Sequence, residues 1–284
     1  MKLIMSVFSS LILANISIAV MAEEKALPLA ASVIVGLESY PDSEYSSMSR
    51  GGGFSIIWDD RRYNNGLKLD ENYIRARATY YFEKDSEKYD NDRYRDSMDA
   101  KFHFYRPFTS FGDQQQYIVS AHTRVEGHYN SQQLEEFEIL AIAGLGLNRR
   151  FTDVNHYDLG FVLGAGYSEE EKDDDWPRNE LGHGVDVLGR SGLGYFVEWN
   201  NAYTFTNTGV QITASYSHFS GEWAYDDNQF YKVDHLKFGV IVPLGNQNNL
   251  LHFATEYVSR DYELDLIGFD DVLYRVGAEY IHYF

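Results

Sequence analysis

Cysteine is absent from this sequence. With it go a disulfide framework, a thiolate metal site and any lipid-anchoring cysteine. Basic residues are in deficit: 24 Lys and Arg stand against 43 Asp and Glu, for a net charge of −19. A surface of that sign repels nucleic acid, whose recognition needs basic stripes. Long apolar runs are also missing, apart from one at the N-terminus, and the mean hydropathy is −0.40. No second segment can cross a bilayer as a helix. There is no phosphate-cradling glycine loop and no His-Glu-x-x-His pattern. Neither a cofactor nor a metal is therefore expected.

What the chain does have is aromatic side chains, 23 Tyr and 18 Phe among 284 residues. Disordered chains lack these, so the charge does not imply disorder. The N-terminus has the layout of a secretory signal peptide: Met1-Lys2, an apolar stretch from Leu3 to Ala19, then Val20-Met21-Ala22 before Glu23-Glu24-Lys25. The expected organisation is a signal peptide over 1–22 and a single domain over 23–284. A domain of about 260 residues is long for a soluble sandwich but suits a barrel.

The decisive pattern has a period of two. Backwards from Phe284, His282, Tyr280, Ala278, Val276, Tyr274 and Val272 alternate with Tyr283, Ile281, Glu279, Gly277, Arg275, Leu273 and Asp271. One set is mainly apolar and aromatic; the other carries the charges. The run is long enough to cross a bilayer as a tilted strand. The same alternation recurs at 72–83, 97–106, 117–128, 136–148, 157–168, 193–205, 208–220, 233–244 and 249–262, and more weakly at 31–39 and 51–60. The expected fold is all-β, a closed antiparallel transmembrane β-barrel of about twelve strands, an even number as single-chain bacterial barrels require. Such a barrel reconciles strong alternation with low mean hydropathy, because only every second residue meets lipid.

Connection lengths support this reading. Short periplasmic turns are expected at Tyr63–Lys68, Thr109–Gln114, Phe151–Asn155, Asn207–Thr208 and Gly245–Asn249. Longer extracellular loops are expected at Tyr40–Arg50, Lys84–Asp96, Asn130–Leu134, Glu169–Ser191, Gly221–Lys232 and Glu263–Phe269. Two of these are strongly acidic, through Asp85, Glu87, Asp90 and Asp92, and through Glu169 to Glu171 and Asp173 to Asp175. They fit no dedicated calcium loop and read as solvated charge. Trp58, Tyr80, Tyr117, Tyr157, Trp199, Tyr203, Tyr216 and Tyr280 fall on the lipid side, where interfacial girdles form.

A strand with alternating faces that ends in an aromatic resembles the C-terminal signal of bacterial outer-membrane proteins. The resemblance implies insertion by the barrel-assembly machinery, with outer-membrane lipids and lipopolysaccharide as surroundings, in the outer membrane of a Gram-negative bacterium. In outline the chain also resembles twelve-stranded porin-like channels for acidic oligosaccharides. The inward positions agree with a channel. Arg75, Arg77, Lys101, His103, His122 and Arg124 lie on three neighbouring strands, and His235, Lys237, His252, Arg260 and Arg275 on the last three. Glu136, Glu138, Asp158 and Glu198 lie between them, beside inward Gly144, Gly146, Gly160, Gly164 and Gly166. Such a lining can guide small hydrophilic, especially acidic, solutes by field focusing. Inward Asp99, Glu126, Glu256, Asp271 and Glu279 leave a second possibility, cross-strand ion pairs that brace the interior. A structural or secretion-associated barrel is the corresponding alternative.

One constellation belongs to another class. His218 and Ser220 share the lipid face near the extracellular end. The stretch Ser217-His218-Phe219-Ser220 resembles the His-x-Ser element of outer-membrane lipid A deacylases, which implies a serine activated by histidine at the depth of the lipid acyl chains. It departs from that family at Gly221, where asparagine is usual. Asp226, Asp227 and Asp234 are the candidate acids. Gly182 to Asp186 and Gly189 to Gly192 read as glycine-rich loop.

Overall fold

The computed structural model describes residues 27–39, 46–60, 71–87, 93–130, 136–151, 156–172, 190–223, 230–264 and 267–284. The expected signal peptide lies outside them. Twelve strands follow one another: β1 Leu29–Ser39, β2 Ser46–Asp59, β3 Tyr73–Glu87, β4 Arg93–Phe111, β5 Tyr117–Asn130 and β6 Glu136–Phe151 make the first half. β7 His156–Lys172, β8 Arg190–Thr204, β9 Gln211–Trp223, β10 Phe230–Leu244, β11 Asn246–Leu264 and β12 Ile267–Tyr283 make the second. Each pairs with its sequence neighbours, antiparallel throughout, and β12 closes on β1, with Ala30 opposite Tyr283 and Ser39 opposite Tyr274. No edge is left to pair with another chain.

Register determines the shape of the wall. Following paired residues once round the barrel returns to β1 displaced by about sixteen positions, so the strands tilt near 45° and the backbone radius is roughly 12 Å. At that tilt about eleven residues cross a hydrocarbon layer. Strands of 13 to 19 residues, such as β9 and β4, therefore project beyond it. This is why β3 and β4, β7, β9 and β10, and β11 and β12 extend into segments expected to be extracellular loops. The glycine-rich 182–189 lies outside the described residues, whereas Arg190 to Gly192 begin β8.

Three described turns, 112–116, 205–210 and Gly245, lie at the end where β1 starts, the end expected to be periplasmic. Gly245 alone joins β10 to β11, with φ of 70°, a left-handed conformation that glycine adopts without steric cost. Two prolines sit where the ladder is irregular: register shifts at Pro107 and at Pro243. A proline has no N–H for the ladder, so a bulge is where a strand tolerates it.

Parity divides the residues as the alternation required. Val33, Val35, Phe54, Leu145, Leu163, Phe238, Phe253 and Val276 point outward and are exposed to the surroundings. All buried residues of the apolar clusters point into the lumen. Ala30, Ile57, Ile281 and Tyr283 form one cluster and Tyr73, Tyr105 and Ile118 another, both towards the periplasmic end. Ile142, Phe196 and Phe219 form a third, higher on the opposite wall.

Candidate functional site

Among the described residues, the lumen gathers a set of inward-facing charges. The register places all eleven basic and histidine positions expected there on the inward face: Arg75 opposite His103, Arg77 opposite Lys101, His103 opposite Arg124, and Tyr105 opposite His122. On the other wall Lys237 is opposite Glu256, His252 opposite Glu279, Arg260 opposite Asp271, and His235 opposite Val258. Arg275 faces Glu256 from β12. Of Arg260 only this strand position is described.

These cations form two populations. Arg77 and Arg124 are braces. Arg77 Nη2 donates to Glu279 Oε1 at 2.8 Å and to Ser55 Oγ at 2.9 Å, while Nη1 reaches Glu279 Oε2 at 3.1 Å. Its Nε donates to Thr79 at 3.1 Å. Arg124 makes a two-pronged pair with Glu198, which also accepts from Asn200 Nδ2. Both pairs join strands three apart. Arg77 on β3 reaches over β2 and β1 to β12; Arg124 on β5 reaches over β6 and β7 to β8. Each bridge passes above small residues. Ser55 and Ser32 lie under the first, and Gly144 and Gly164 under the second. A Cβ built on Gly144 would stand 2.7 Å from the Cα of Gly164, and the reverse distance is also 2.7 Å. The wall is folded so tightly there that no side chain fits, and the arginine lies across the bend.

His103 and His122 belong to a second fixed network. Their rings stack at 5.3 Å, with His103 Nε2 3.0 Å from His122 Nδ1. His122 Nε2 lies 2.9 Å from the hydroxyl of fully buried Ser120, which accepts from Asn148 Nδ2 at 2.9 Å. Tyr73 and Tyr105 stack on each other at 4.6 Å and meet the same histidines edge-on, at 5.4 and 5.2 Å. A serine next to a histidine would suggest a nucleophile, but Ser120 has no exposed surface and no substrate can reach it.

The other population meets water. Lys101 is 49% exposed and pairs with Glu126 at 3.0 Å; Arg75 is 46% exposed, 3.5 Å from Asp59. Lys237 and Arg275, 36% and 39% exposed, share Glu256 at 2.5 and 3.6 Å, with His235 Nε2 at 3.6 Å from the same carboxylate. His252 is instead drawn to Glu279 at 3.5 Å. Lys101 on β4 and Glu256 on β11 point into the lumen from opposite walls, as do Glu126 on β5 and His235 on β10. Two ion-pair groups thus line opposite walls of the lumen, with cations about a third to a half exposed.

Outside the barrel, His218 and Ser220 do face lipid. Register sets Asp234 of β10 directly opposite His218. Asp234 Oδ1 lies 2.9 Å from His218 Nδ1 and accepts the Tyr216 hydroxyl at 2.6 Å. The Tyr195 ring lies 5.7 Å from the imidazole. Of the three candidate acids, Asp234 is therefore the partner, while Asp226 and Asp227 lie outside the described residues. Sequence proximity could not choose among them; the pairing of β9 with β10 does.

Comparison with solved structures agrees with the fold. An outer-membrane channel from Pseudomonas putida F1 is similar with a TM-score of 0.51 at 11% identity, covering 93% of this chain and 97% of that one. The β domain of the Bordetella autotransporter BrkA gives 0.45 at 12% identity, covering 90% and 98%. A KdgM porin in complex with disordered oligogalacturonate gives 0.37 at 11%, covering 88% and 98%. No protein-family model and no curated protein matches. At such identities the likeness is one of architecture: the chain has the closed-barrel fold of bacterial outer-membrane proteins.

Proposed function

We propose that this protein is an outer-membrane channel for passive diffusion of small hydrophilic solutes. One observation carries the reading. Charged side chains that point inward from opposite walls, Lys101, Arg75, Lys237 and Arg275, remain between about a third and a half exposed. A closed barrel that were packed solid would leave them no water. With a backbone radius near 12 Å, side chains from both walls leave a passage on the order of 10 Å or less. The cations on that level have carboxylate neighbours, so the passage presents alternating charge. Acidic solutes would be guided by exchange of Glu126 or Glu256 for a solute carboxylate at Lys101, Lys237 or Arg275. The test is single-channel recording in planar bilayers: discrete, ohmic steps are expected, and a bilayer that stays silent over all salts and voltages would overturn the reading.

His218, Ser220 and Asp234 favour a second reading, hydrolysis of an ester in a membrane lipid. A polar group on the lipid face is costly, so three held together there call for a role. Asp234 fixes Nδ1 of His218, which leaves Nε2 to take the Ser220 proton as the oxygen attacks an acyl carbonyl. The imidazolium returns that proton to the departing alcohol as the ester C–O bond breaks, and water then frees the fatty acid and Ser220. Among the described residues no hydrogen bond joins Ser220 to His218, and such contacts commonly tighten only with substrate bound. Lipopolysaccharide incubated with the protein should lose acyl groups by mass spectrometry, and Ser220→Ala should abolish the loss. Loss that persists in that variant would remove Ser220 from the chemistry.

A further inference from the structure

Away from both sites, the outer surface carries a shallow, open groove of about 750 Å³ centred on β1. Register explains its shape. One row of outward residues runs Phe82, Gly52, Val35, Ala278, Phe253 across β3, β2, β1, β12 and β11. Large rings stand at both ends and small side chains between them, which makes two rims and a floor. One step along the strands, away from the periplasmic turns, the next row begins Lys84, Arg50, Leu37. Both cations line the groove, directly opposite each other on β3 and β2. Among the described residues, Asp96 also lies on this face, opposite Phe82 and engaged by the Tyr80 hydroxyl.

Two adjacent cations on a lipid-facing wall are unfavourable in hydrocarbon and favourable at the headgroup level opposite an anion. They are out of character in a chain of net charge −19. An apolar trough some five strands wide, ending in a lysine and an arginine, complements a molecule with an acyl chain and a phosphate. We propose that this groove is a binding site for a phosphorylated glycolipid of the lipid A type, with an acyl chain along Gly52, Val35 and Ala278 and a phosphate held by Arg50 and Lys84. Arginine supplies a bidentate fork to the phosphate and lysine a point charge. The assignment rests on the outer-membrane reading, since the cations lie at the end of the strands that faces the outer leaflet.

The test is native mass spectrometry of the full-length protein in non-ionic detergent. The added probes are bisphosphorylated lipid A, dephosphorylated lipid A and phosphatidylethanolamine. The bisphosphorylated lipid should bind in preference to the other two. Arg50→Glu combined with Lys84→Glu should weaken it by at least about tenfold. Ala278→Trp, which fills the floor and keeps both cations, should weaken it as well. Equal binding by the charge-reversed protein, equal binding of phosphatidylethanolamine, or closure of this face by a second copy of the chain would each overturn the site. Conductance of the same preparations separates the two proposals. Channels without lipid retention count against the groove alone, and lipid retention without channels counts against the channel alone.

Discussion

The two kinds of charge inside this barrel differ in what surrounds them. Arg124 and Glu198 are 14% and 5% exposed and meet over a bend made by two glycines; Lys101 and Glu126 are 49% and 37% exposed and meet across adjacent strands. The first pair has no water to fall back on, so removing one partner strands the other. The second has water at hand, so its members can exchange partners. Residue type does not separate brace from solute contact. Burial and span do: an ion pair three strands apart holds a curved wall, whereas a neighbouring pair on an open face can exchange its partners with water.

Breaking the brace should give the largest effect. Glu198→Ala leaves Arg124 buried without its carboxylate and should cost about 3–5 kcal/mol, seen as a lower urea midpoint for the folded barrel. Glu126→Ala should cost less than about 1 kcal/mol in the same assay. If the two variants unfold at the same urea concentration, the distinction between brace and contact is wrong. Next in size is Gly164→Val. A Cβ would press on Gly144 at 2.7 Å, so the bend must open, and a loss of about 1–3 kcal/mol is expected on the same urea curve.

Selectivity should respond the other way round. Lys101→Gln together with Lys237→Gln should move the reversal potential in a salt gradient towards cation preference, with a smaller loss of stability than Glu198→Ala because Arg275 and His235 still face Glu256. An unchanged reversal potential would place the narrow level elsewhere. The smallest effect is expected for Arg75→Ala, whose contact with Asp59 is 3.5 Å long and whose side chain is 46% exposed. Folding should be unaltered within about 0.5 kcal/mol, with a modest fall in anion current.

Much of the fold was legible because a period of two is a local property. Each of the twelve expected segments lies on a strand, and the last strand's parity from Phe284 puts Arg275 and Glu279 inside and Val276 and Tyr280 outside. The girdle residue Tyr117 likewise lies on the outward face, under the guanidinium of Arg149. Loop lengths were less legible. Acidic composition marks exposure to water, and a strand that projects past the bilayer is as wet as a loop.

The candidate site was legible only in part. Alternation alone brought Arg77, Lys101 and Arg124 to the lumen and left His218 and Ser220 on the lipid side. It could not tell which of the three lumen cations a carboxylate would bury, because that partner sits about 70 residues away for Arg124 and 200 for Arg77. The inward glycines at 144 and 164 were visible as a gap in the wall, but that the gap is a fold bridged from both sides was not. Asp234 stood among three acids of equal standing until strand pairing set it against His218.

By itself, then, the sequence determined which residues form strands, which face each residue takes and how many strands must close. Those follow from chemistry repeated every second residue, together with the need to satisfy every backbone group in lipid. Only the tertiary structure decided how far each strand is staggered against the next. That stagger set the tilt, gathered Phe82, Gly52, Val35, Ala278 and Phe253 into one row, and brought arginines over to carboxylates three strands away. Stagger is a property of the closed ring, fixed when β12 meets β1, and no single segment carries it.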